Sequence, residues 1–374
     1  MPKIEILWIT ENYFPNKGGM AQSCDRIVYN LRQAGIKVHV LYFSSKSGHE
    51  KLKILQNGSE KIITLAYNIE HTLYMTNLFI ERESTYKEVT HIVAFGGNMP
   101  LFYAPMLSKF LNKSLILCFR GNDFDIGIFS PKKRETLFYA LQNAQAVACV
   151  SSDKCKMIRA LLPHLAVYHT PNGLDKKNWR LLPSDIKKAE EFKNKIDPTQ
   201  RIIGLFGHLK IKKGLSFFLK ALENAPYLAQ IHLLLIGQIE DESIMKQLEK
   251  MGISYTILPF LERYELLSYY YACHILAIPS FYDGMPNVLL EGALLQKTFI
   301  ASDVAGMYDV LKDNKNAFVF EVNQLKSARS AIDKFMQNSL SQIEKMGQNL
   351  YEKVIQEYTE AQEIQNYLTI FQNH

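Results

Sequence analysis

The 374-residue sequence has few cysteines, no long apolar run and no segment typical of a secreted protein. Its five cysteines form no CxxC pair and no Cys/His spacing suited to zinc, which argues against a disulfide-built or zinc-built domain. No window approaches the roughly 18–20 apolar residues of a membrane span, and the start lacks the apolar stretch of a signal peptide. Basic and aromatic residues do not interleave as on a nucleic-acid surface. We therefore expect a cytoplasmic protein with reduced cysteines and no nucleic-acid partner.

The composition is that of a folded protein with two to three domains, because 47% of the residues are hydrophobic and 21% are charged. The net charge of +6 is confined to the first half: residues 1–175 contain 20 Lys and Arg against 14 Asp and Glu, whereas residues 176–374 contain 23 of each. Two interpretations remain open. The first half faces an anionic surface or substrate, such as a bilayer leaflet or a charged glycan, or its charges are ordinary solvated side chains.

Short apolar runs alternate with amphipathic segments in two series. β-Branched content predicts buried parallel strands joined by helices, and hence two doubly wound α/β domains. The first series of strands is predicted at 4–10, 37–43, 89–95, 114–119 and 146–151. The second series is predicted at 202–206, 231–236, 255–258, 275–278, 298–301 and 317–320. Helices are predicted at 21–33, 214–224, 240–251, 262–272, 285–295 and 325–353. The domains therefore span residues 1–175 and 201–354, and the polar interval 176–200 is predicted to be a linker.

The loops that follow strands are the expected ligand sites, since doubly wound sheets bind ligands beyond the carboxyl ends of their strands. The loop 11–19 ends in Gly18 and Gly19, which let a ligand approach the backbone at a helix start, although such a pair is more often a turn. The loop 207–214 contains Lys210, Lys212 and Lys213 before a predicted helix, an arrangement that suits a diphosphate. A solvated basic loop is the alternative.

Two carboxylates follow the predicted strand 275–278. Asp283 lies in the loop before a helix, and Glu291 lies about two turns inside that helix. They can accept hydrogen bonds from different hydroxyls of one extended ligand, while the loop amides from Gly284 to Asn287 hold its phosphate. The alternative is that Asp283 caps the helix and Glu291 is exposed to solvent. It explains the two residues less well than ligand binding does, because a buried glutamate that faces a cleft needs a partner.

These motifs resemble those of the retaining GT-B glycosyltransferases, in particular glycosyltransferase family four (glycosyl transferases group 1). Asp283 and Glu291 stand in the family's Glu-x7-Glu motif, with Asp in place of the first Glu. Residues 207–214, 171–175 and 305–309 are similar to its Gly-Arg-Leu…Lys-Gly, Pro-Asn-Gly-Val-Asp and Gly-Gly-x-x-Glu motifs. The resemblance covers essentially the whole chain. It implies a GT-B fold, in which two Rossmann-like domains face a central cleft and a C-terminal helix at about 355–374 packs back on the first domain.

The resemblance also implies a role for individual residues. Lys213 binds the donor diphosphate, Glu291 the ribose, Asp283 the sugar, and the segment 258–260 the base. The implied catalytic residues are Asp123, Lys213, Asp283 and Glu291. The implied donor-binding residues are Gly18, Gly19, Arg120, His208, Lys213, Leu258, Phe260, Asp283, Gly284, Met285, Pro286, Asn287, Val288 and Glu291.

Two positions depart from the family pattern. His208 stands where the family has the diphosphate Arg, so Lys213 takes that task with help from Lys210 or Lys212. Arg120-Gly121-Asn122-Asp123 stands where many relatives have a His-Asp pair. Asp123 then positions an acceptor or sugar hydroxyl, or it merely caps the following turn. Arg120 pairs with Asp123 or with an anionic acceptor.

The resemblance implies a retaining hexosyltransferase that needs no metal and no cofactor. The one DxD triplet, residues 123–125, lies in the first domain, away from the expected diphosphate. The expected donor is a UDP-sugar, with GDP-mannose second. The expected acceptor is a glycan or lipid-linked glycan in the synthesis of cell-surface polysaccharides or glycoconjugates, reached from the inner face of the cell membrane. The alternatives are a nucleotide-sugar-binding protein without transferase activity and a non-hydrolysing UDP-sugar epimerase.

Overall fold

The computed structural model describes residues 4–16, 18–45, 52–121 and 123–374, which form two compact units. The first unit comprises the described residues up to Asn172 together with Glu360–His374, and the second comprises Gly173–Thr359. Both units are of the predicted α/β class, with sheets whose strand pairs are parallel except for one in the first unit.

The first unit is built on one sheet, in which eight strands fall within the described residues. The strands are β1 (Glu5–Thr10), β2 (Lys37–Ser44), β3 (Lys53–Leu55), β4 (Gly58–Thr64), β5 (His91–Phe95), β6 (Ser114–Phe119), β7 (Ala146–Cys149) and β8 (Ala166–His169). Their order is β3-β4-β2-β1-β5-β6-β7-β8, and all pairs are parallel except β3 with β4. The strand order therefore reverses at β1, because β2 pairs with one edge of β1 and β5 pairs with the other.

Helices cover both faces of this sheet. They are α1 (Gly19–Gln33), α2 (Ile69–Arg82), α3 (Ser84–Lys87), α4 (Asn98–Leu111), α5 (Asp123–Phe129), α6 (Pro131–Asn143) and α7 (Ser152–Leu161). Alternate residues of β1 point to opposite faces, as the pleat of a strand requires. Leu7 and Ile9 pack with residues of α4 and α6, whereas Ile6 and Trp8 pack with residues of α1. The whole strand is buried, which is why its sequence is a continuous apolar run.

The second unit is built on a six-stranded parallel sheet. Its elements are α8 (Pro183–Lys193), β9 (Arg201–Phe206), α9 (Leu215–Leu222), β10 (Ile231–Ile236), α10 (Ser243–Met251), β11 (Ser254–Leu258), α11 (Arg263–Ala272), β12 (Ile275–Ile278), α12 (Asn287–Leu294), β13 (Phe299–Ser302), α13 (Met307–Val310), β14 (Phe318–Phe320), α14 (Leu325–Gln337) and α15 (Leu340–Glu357). The strand order is β11-β10-β9-β12-β13-β14. The order reverses between β9 and β12, so a crevice at their carboxyl ends is the expected ligand site.

Two predicted boundaries are wrong. The interval 176–200 is not a linker, since it belongs to the second unit and contains α8. Phe192 on α8 packs edge-on against Tyr269 on α11, with ring centroids 5.4 Å apart, so a mostly polar segment still buries one apolar face. The single helix predicted at 325–353 is two helices. The first ends at Gln337, and Ser339 caps the second, because the Ser339 hydroxyl accepts from the Gln342 amide while the Gln342 side chain accepts from the Ser339 amide.

The last helix, α16 (Glu360–Asn373), belongs to the first unit. Ile364, Tyr367, Ile370 and Phe371 pack into the same apolar cluster as α1 and Trp8. Among the residues that the structure describes, no helix combines the length and apolar character needed to cross a bilayer.

Candidate functional site

The loops after β9 and β12 lie against each other at the point where the strand order of the second unit reverses. The Phe281 amide donates to the Lys212 carbonyl at 2.9 Å. Gly214 has a φ of +71°, and a Cβ at this position would lie 2.0 Å from the Pro279 carbonyl oxygen. Only glycine permits both this backbone conformation and this approach. The two loops are therefore held side by side by their backbones.

Lys213 and Asp283, one from each loop, form an ion pair through the lysine Nζ and the carboxylate Oδ2. Asp283 also accepts from the Gly284 amide at 3.1 Å and from the Ser280 hydroxyl at 3.5 Å. The Lys213 side chain is 26% exposed and that of Asp283 is 14% exposed. The structure thus brings together a cation expected on the diphosphate and a carboxylate expected on the sugar, with each partly accessible to a ligand.

The remaining cations of the loop after β9 differ in their surroundings. Lys210 is exposed, and its Nζ lies 3.1 Å from the Glu240 carboxylate. Lys212 is half-buried, and this burial lowers its pKa, although the Asp283 carboxylate opposes the shift. His208 has a buried Nδ1 with no hydrogen-bond partner among the described residues. A buried ring nitrogen without a partner is rare, and here it lies in a loop predicted to bind a ligand.

Glu291 lies about one turn inside α12, instead of the predicted two, because the helix begins at Asn287, and it is half-buried. The Tyr270 hydroxyl donates to Glu291 Oε2 at 2.7 Å. Burial, followed by the charge of Glu291, raises the pKa of the Tyr270 phenol well above its usual value. The sequence analysis did not identify Tyr270. The signal was present in the three adjacent tyrosines 269–271, but their spacing alone does not show which of them points at the carboxylate.

The segment that links Asp283 to α12 is tightly supported. Gly284, Met285 and Pro286 are buried, whereas Asn287 and Val288 are half-buried at the start of α12. α12 begins at Asn287, directly after this segment, so the positive end of its helix dipole lies beside the loop. A Cβ on Gly306 would lie 1.9 Å from the Gly284 carbonyl oxygen, so the segment 305–309 packs directly against this loop.

The segment expected at the base lies at the end of β11. The Leu258 carbonyl accepts from the Gly237 amide at 3.0 Å, and Phe260 is 37% exposed. Both residues therefore lie at the carboxyl end of the same sheet, with β10 and β9 between β11 and β12.

In the first unit, Gly18 and Gly19 begin α1, and Gly18 has a φ of +117°. Apart from its two chain neighbours, no described residue has an atom within 4 Å of the position that a Gly18 Cβ would take, so this glycine meets a conformational requirement. Asp123 is the first residue of α5, in the connection that follows β6. Its carboxylate accepts from the amides of Arg120, Gly121 and Phe124 at 3.0–3.1 Å. Asp123 therefore caps its turn, and its role toward an acceptor stays a prediction.

The donor-binding role of Arg120 is not compatible with its position. The guanidinium is buried and donates to the Thr170 carbonyl, the Asn172 side chain and Glu363 on α16. Glu363 is also held by Arg26, through two bonds of 3.0 Å. The two arginines thus bind one buried carboxylate, which attaches α16 to the first unit. Arg120 makes contacts inside the fold, and its side chain is only 1% exposed.

The DxD triplet is also accounted for by the fold. Asp125 lies 2.9 Å from the Nζ of Lys154, a lysine that is 1% exposed, and Asp123 is bonded to backbone amides. Within the described residues, no group of three or more His, Cys, Asp or Glu side chains is arranged to hold a metal ion.

Comparison with known families gives one match within the second unit. The family model of glycosyl transferases group 1 matches residues 186–353. This span contains Lys213, Asp283, Tyr270 and Glu291. The predicted resemblance to glycosyl transferases group 1 is therefore confirmed for this span, and the matched region begins within α8, which was expected to be a linker.

Related proteins extend the likeness beyond this span. A glycosyltransferase of capsular polysaccharide biosynthesis, CapM from Staphylococcus aureus, is 24% identical over 187 residues, which are 49% of this chain and 48% of CapM. The chain thus matches about half the length of that relative. The uncharacterized glycosyltransferase MJ1178 from Methanocaldococcus jannaschii is 25% identical over 337 residues, or 87% of each chain.

Solved structures confirm the expected GT-B fold. HepE from Anabaena in complex with UDP-glucose has a TM-score of 0.79 at 16% identity, over 99% of this chain and 100% of HepE. Sucrose-phosphate synthase from Thermosynechococcus elongatus has a TM-score of 0.82 at 16% identity, with the same coverage.

Proposed function

We propose that this glycosyltransferase moves a hexose from a nucleoside diphosphate sugar to a glycan or lipid-linked acceptor, with retention of the anomeric configuration. The observation that carries the proposal is the convergence of Lys213, Asp283, Glu291 and the N-terminus of α12 where the strand order reverses. A donor of this class presents a pentose, a diphosphate and a sugar in succession. In the same succession, the site offers the Glu291 carboxylate, the Lys213 cation with the amides of α12, and the Asp283 carboxylate.

The proposed reaction breaks the bond between the anomeric carbon and the diphosphate oxygen and forms a bond from that carbon to an acceptor hydroxyl oxygen. The electron pair of the broken bond stays on the diphosphate. A phosphate oxygen on the same face takes the hydroxyl proton, so that the configuration is retained. Lys213 and the α12 amides stabilise the negative charge as it develops, and this lowers the barrier more than it strengthens binding of the donor.

UDP-sugars are the proposed donors, with GDP-mannose as second choice. The support comes from fold neighbours, since HepE was solved with UDP-glucose and with UDP. The involvement of CapM in capsular polysaccharide biosynthesis supports an acceptor that belongs to a cell-surface polysaccharide or glycoconjugate.

We propose that the transfer is metal-independent, because Lys213 already supplies a positive charge at the expected diphosphate. The test is transfer in the presence of EDTA after exhaustive dialysis against chelator. Unchanged turnover is expected. Loss of turnover that Mg²⁺ or Mn²⁺ restores would overturn this part of the proposal.

The proposed membrane partner is an anionic bilayer, and the surface formed by α4, α5 and α6 supports it. Phe102, Met106 and Phe110 form an exposed apolar row on α4, and Phe129 is 78% exposed at the end of α5. The basic residues of α4, of the turn after it and of α6 are Lys109, Lys113, Lys132, Lys133 and Arg134. Exposed apolar groups among clustered cations are typical of surfaces that bind anionic lipid.

Co-sedimentation at low salt tests the membrane proposal. Phosphatidylcholine vesicles that contain phosphatidylglycerol should retain the protein, and vesicles of phosphatidylcholine alone should not. Replacing Lys132 and Lys133 by Glu should abolish retention. The matched control replaces the exposed Lys326 and Lys345 of the second unit by Glu and should keep it. Equal loss in both variants, or no retention of the wild type, refutes the proposal.

The function itself is tested by incubating the purified protein with labelled nucleotide sugars and a mixed set of acceptors. Transfer to an acceptor supports the proposal. Formation of an epimeric nucleotide sugar points to the epimerase alternative, and tight binding without turnover points to a binding protein.

A further inference from the structure

Tyr270 is a fully buried residue of α11 whose hydroxyl reaches the site. Its phenol donates to Glu291 Oε2 at 2.7 Å, and among the described residues Glu291 is the one group that this hydroxyl contacts through a hydrogen bond. Burial keeps the phenol pKa well above its usual value, so the hydroxyl stays protonated and remains a donor. A donor that faces a carboxylate forms a short, charge-assisted bond of the strong class.

Two aromatic rings hold the Tyr270 ring in place. Phe206, the last residue of β9, packs edge-on against it with centroids 4.8 Å apart. Trp179 packs edge-on from another side at 6.1 Å and is itself buried. The ring therefore has little freedom to turn, and its hydroxyl occupies a defined position relative to the loop after β9.

Tyr270 thereby connects the two halves of the candidate site. Its ring rests on Phe206, directly before Gly207 and His208, and its hydroxyl holds a carboxylate on α12. A half-buried carboxylate with several rotamers loses entropy when a ligand fixes it, and a bond that fixes it beforehand reduces this loss.

We infer that Tyr270 is a positioning residue, which orients the Glu291 carboxylate for the hydroxyls of the donor ribose. The inference rests on the proposed function, because it requires that Glu291 binds the ribose. It predicts that the phenolic oxygen, and not merely the aromatic ring, is needed for donor affinity. It also predicts that the effect disappears when the ribose hydroxyls are removed.

The test variant is Tyr270→Phe, which keeps the ring and its two aromatic contacts. The matched control is Tyr269→Phe on the same helix, since Tyr269 packs through its ring on Phe192 and Lys188 and its hydroxyl makes no hydrogen bond to the described residues. Calorimetric titration is carried out with UDP and with its 2′-deoxy and 3′-deoxy analogues. The unfolding temperature of each protein is measured first, so that affinities are compared between folded proteins.

We expect Tyr270→Phe to weaken UDP binding by about tenfold to a hundredfold, the range for hydrogen bonds to charged groups. The KM for the donor should rise while kcat changes little, because the ribose is remote from the bond that breaks. The deoxy analogue that lacks the hydroxyl bound by Glu291 should bind wild type and variant alike. In a Glu291→Gln background, Tyr270→Phe should add little further loss.

Several results would overturn the inference. One is a UDP affinity of Tyr270→Phe equal to that of the wild type. Another is a loss of affinity in Tyr270→Phe that is the same for UDP and for both deoxy analogues. A third is an equal loss of UDP affinity in Tyr269→Phe. Additive losses in the double variant would also contradict it. If the wild type binds none of UDP, GDP and their sugars, the proposed function fails instead, and the two failures are thereby distinguished.

Discussion

Replacing Lys213 by methionine is the most direct test of the second-unit site. The substitution keeps most of the aliphatic chain and removes the charge that pairs with Asp283. Two effects follow. The leaving diphosphate loses a cation, and the Asp283 carboxylate stays behind without its partner.

The two effects have different magnitudes. Loss of one preorganised stabilising group typically lowers kcat by about 10²–10³-fold. Two unit charges 4 Å apart interact by about 4 kcal/mol at an effective dielectric constant of about 20. Water reaches the outer part of both side chains, so we reduce the repulsion between Asp283 and the diphosphate to about 1–2 kcal/mol, or about 5- to 30-fold in donor affinity.

The double variant Lys213→Met/Asp283→Asn separates these effects. It should recover most of the donor affinity, because the repulsive carboxylate is gone, but not the transfer rate. Binding is measured by calorimetry with the nucleoside diphosphate, and turnover by transfer of labelled sugar. Lys210→Met is the control, since Lys210 belongs to the same loop but pairs with Glu240. Wild-type turnover in Lys213→Met, or an equal loss in Lys210→Met, would refute the reasoning.

Three further predictions concern the fold that supports the site. Gly306→Ala should weaken donor binding, because the new Cβ displaces the Gly284 carbonyl. The control Gly121→Ala should bind the donor as the wild type does, since its new Cβ would lie 3.7 Å from the nearest atom. Equal calorimetric affinities of the two variants for the donor would contradict this prediction. Arg120→Met should destabilise the first unit by about 3 kcal/mol, measured as a fall of about 6–12 °C in its unfolding temperature. Adding Glu363→Gln to the same chain should recover part of the lost stability. An unchanged unfolding temperature in Arg120→Met would show that the buried ion pair does not stabilise the unit. The pKa of His274 is lowered to about 4, mainly by burial and further by the nearby charges of Lys297, Lys193 and Arg201. Between pH 4 and 6.5 the unfolded chain therefore binds more protons at this residue than the folded chain does. The free energy of unfolding should fall by up to about 3 kcal/mol as the pH decreases across that window. His274→Asn, which keeps an acceptor for the Ile202 amide, should flatten that slope in urea titrations, and an unchanged slope would assign it to other groups.

Much of the second unit was predictable because its strands are short, continuous apolar runs bounded by polar loops. All six of its strands lie within a residue or so of the predicted positions. In the first unit, β3, β4 and β8 were not predicted. The first is three residues long and partly exposed, and the second is mostly polar, so neither has the apolar run that marks a buried strand.

The individual contacts of the site were less predictable, because they join residues far apart in the chain. Lys213 and Asp283 are 70 residues apart, and the sequence suggested separate tasks for them. Arg120 and Glu363 are 243 residues apart, and a charged residue in a loop after a strand is more often accessible than buried. Pairing across such distances is decided by the packing of whole elements.

The sequence by itself determined the six strands of the second unit and the loops that carry glycines, cations and carboxylates, because these depend on short apolar runs and on local backbone preferences. The tertiary structure alone decided that Arg120 serves the fold, that Lys213 and Asp283 neutralise each other, and that Tyr270 reaches Glu291. Burial and the direction of a side chain depend on what the neighbouring strands and helices place beside it, and that information is spread over the whole chain.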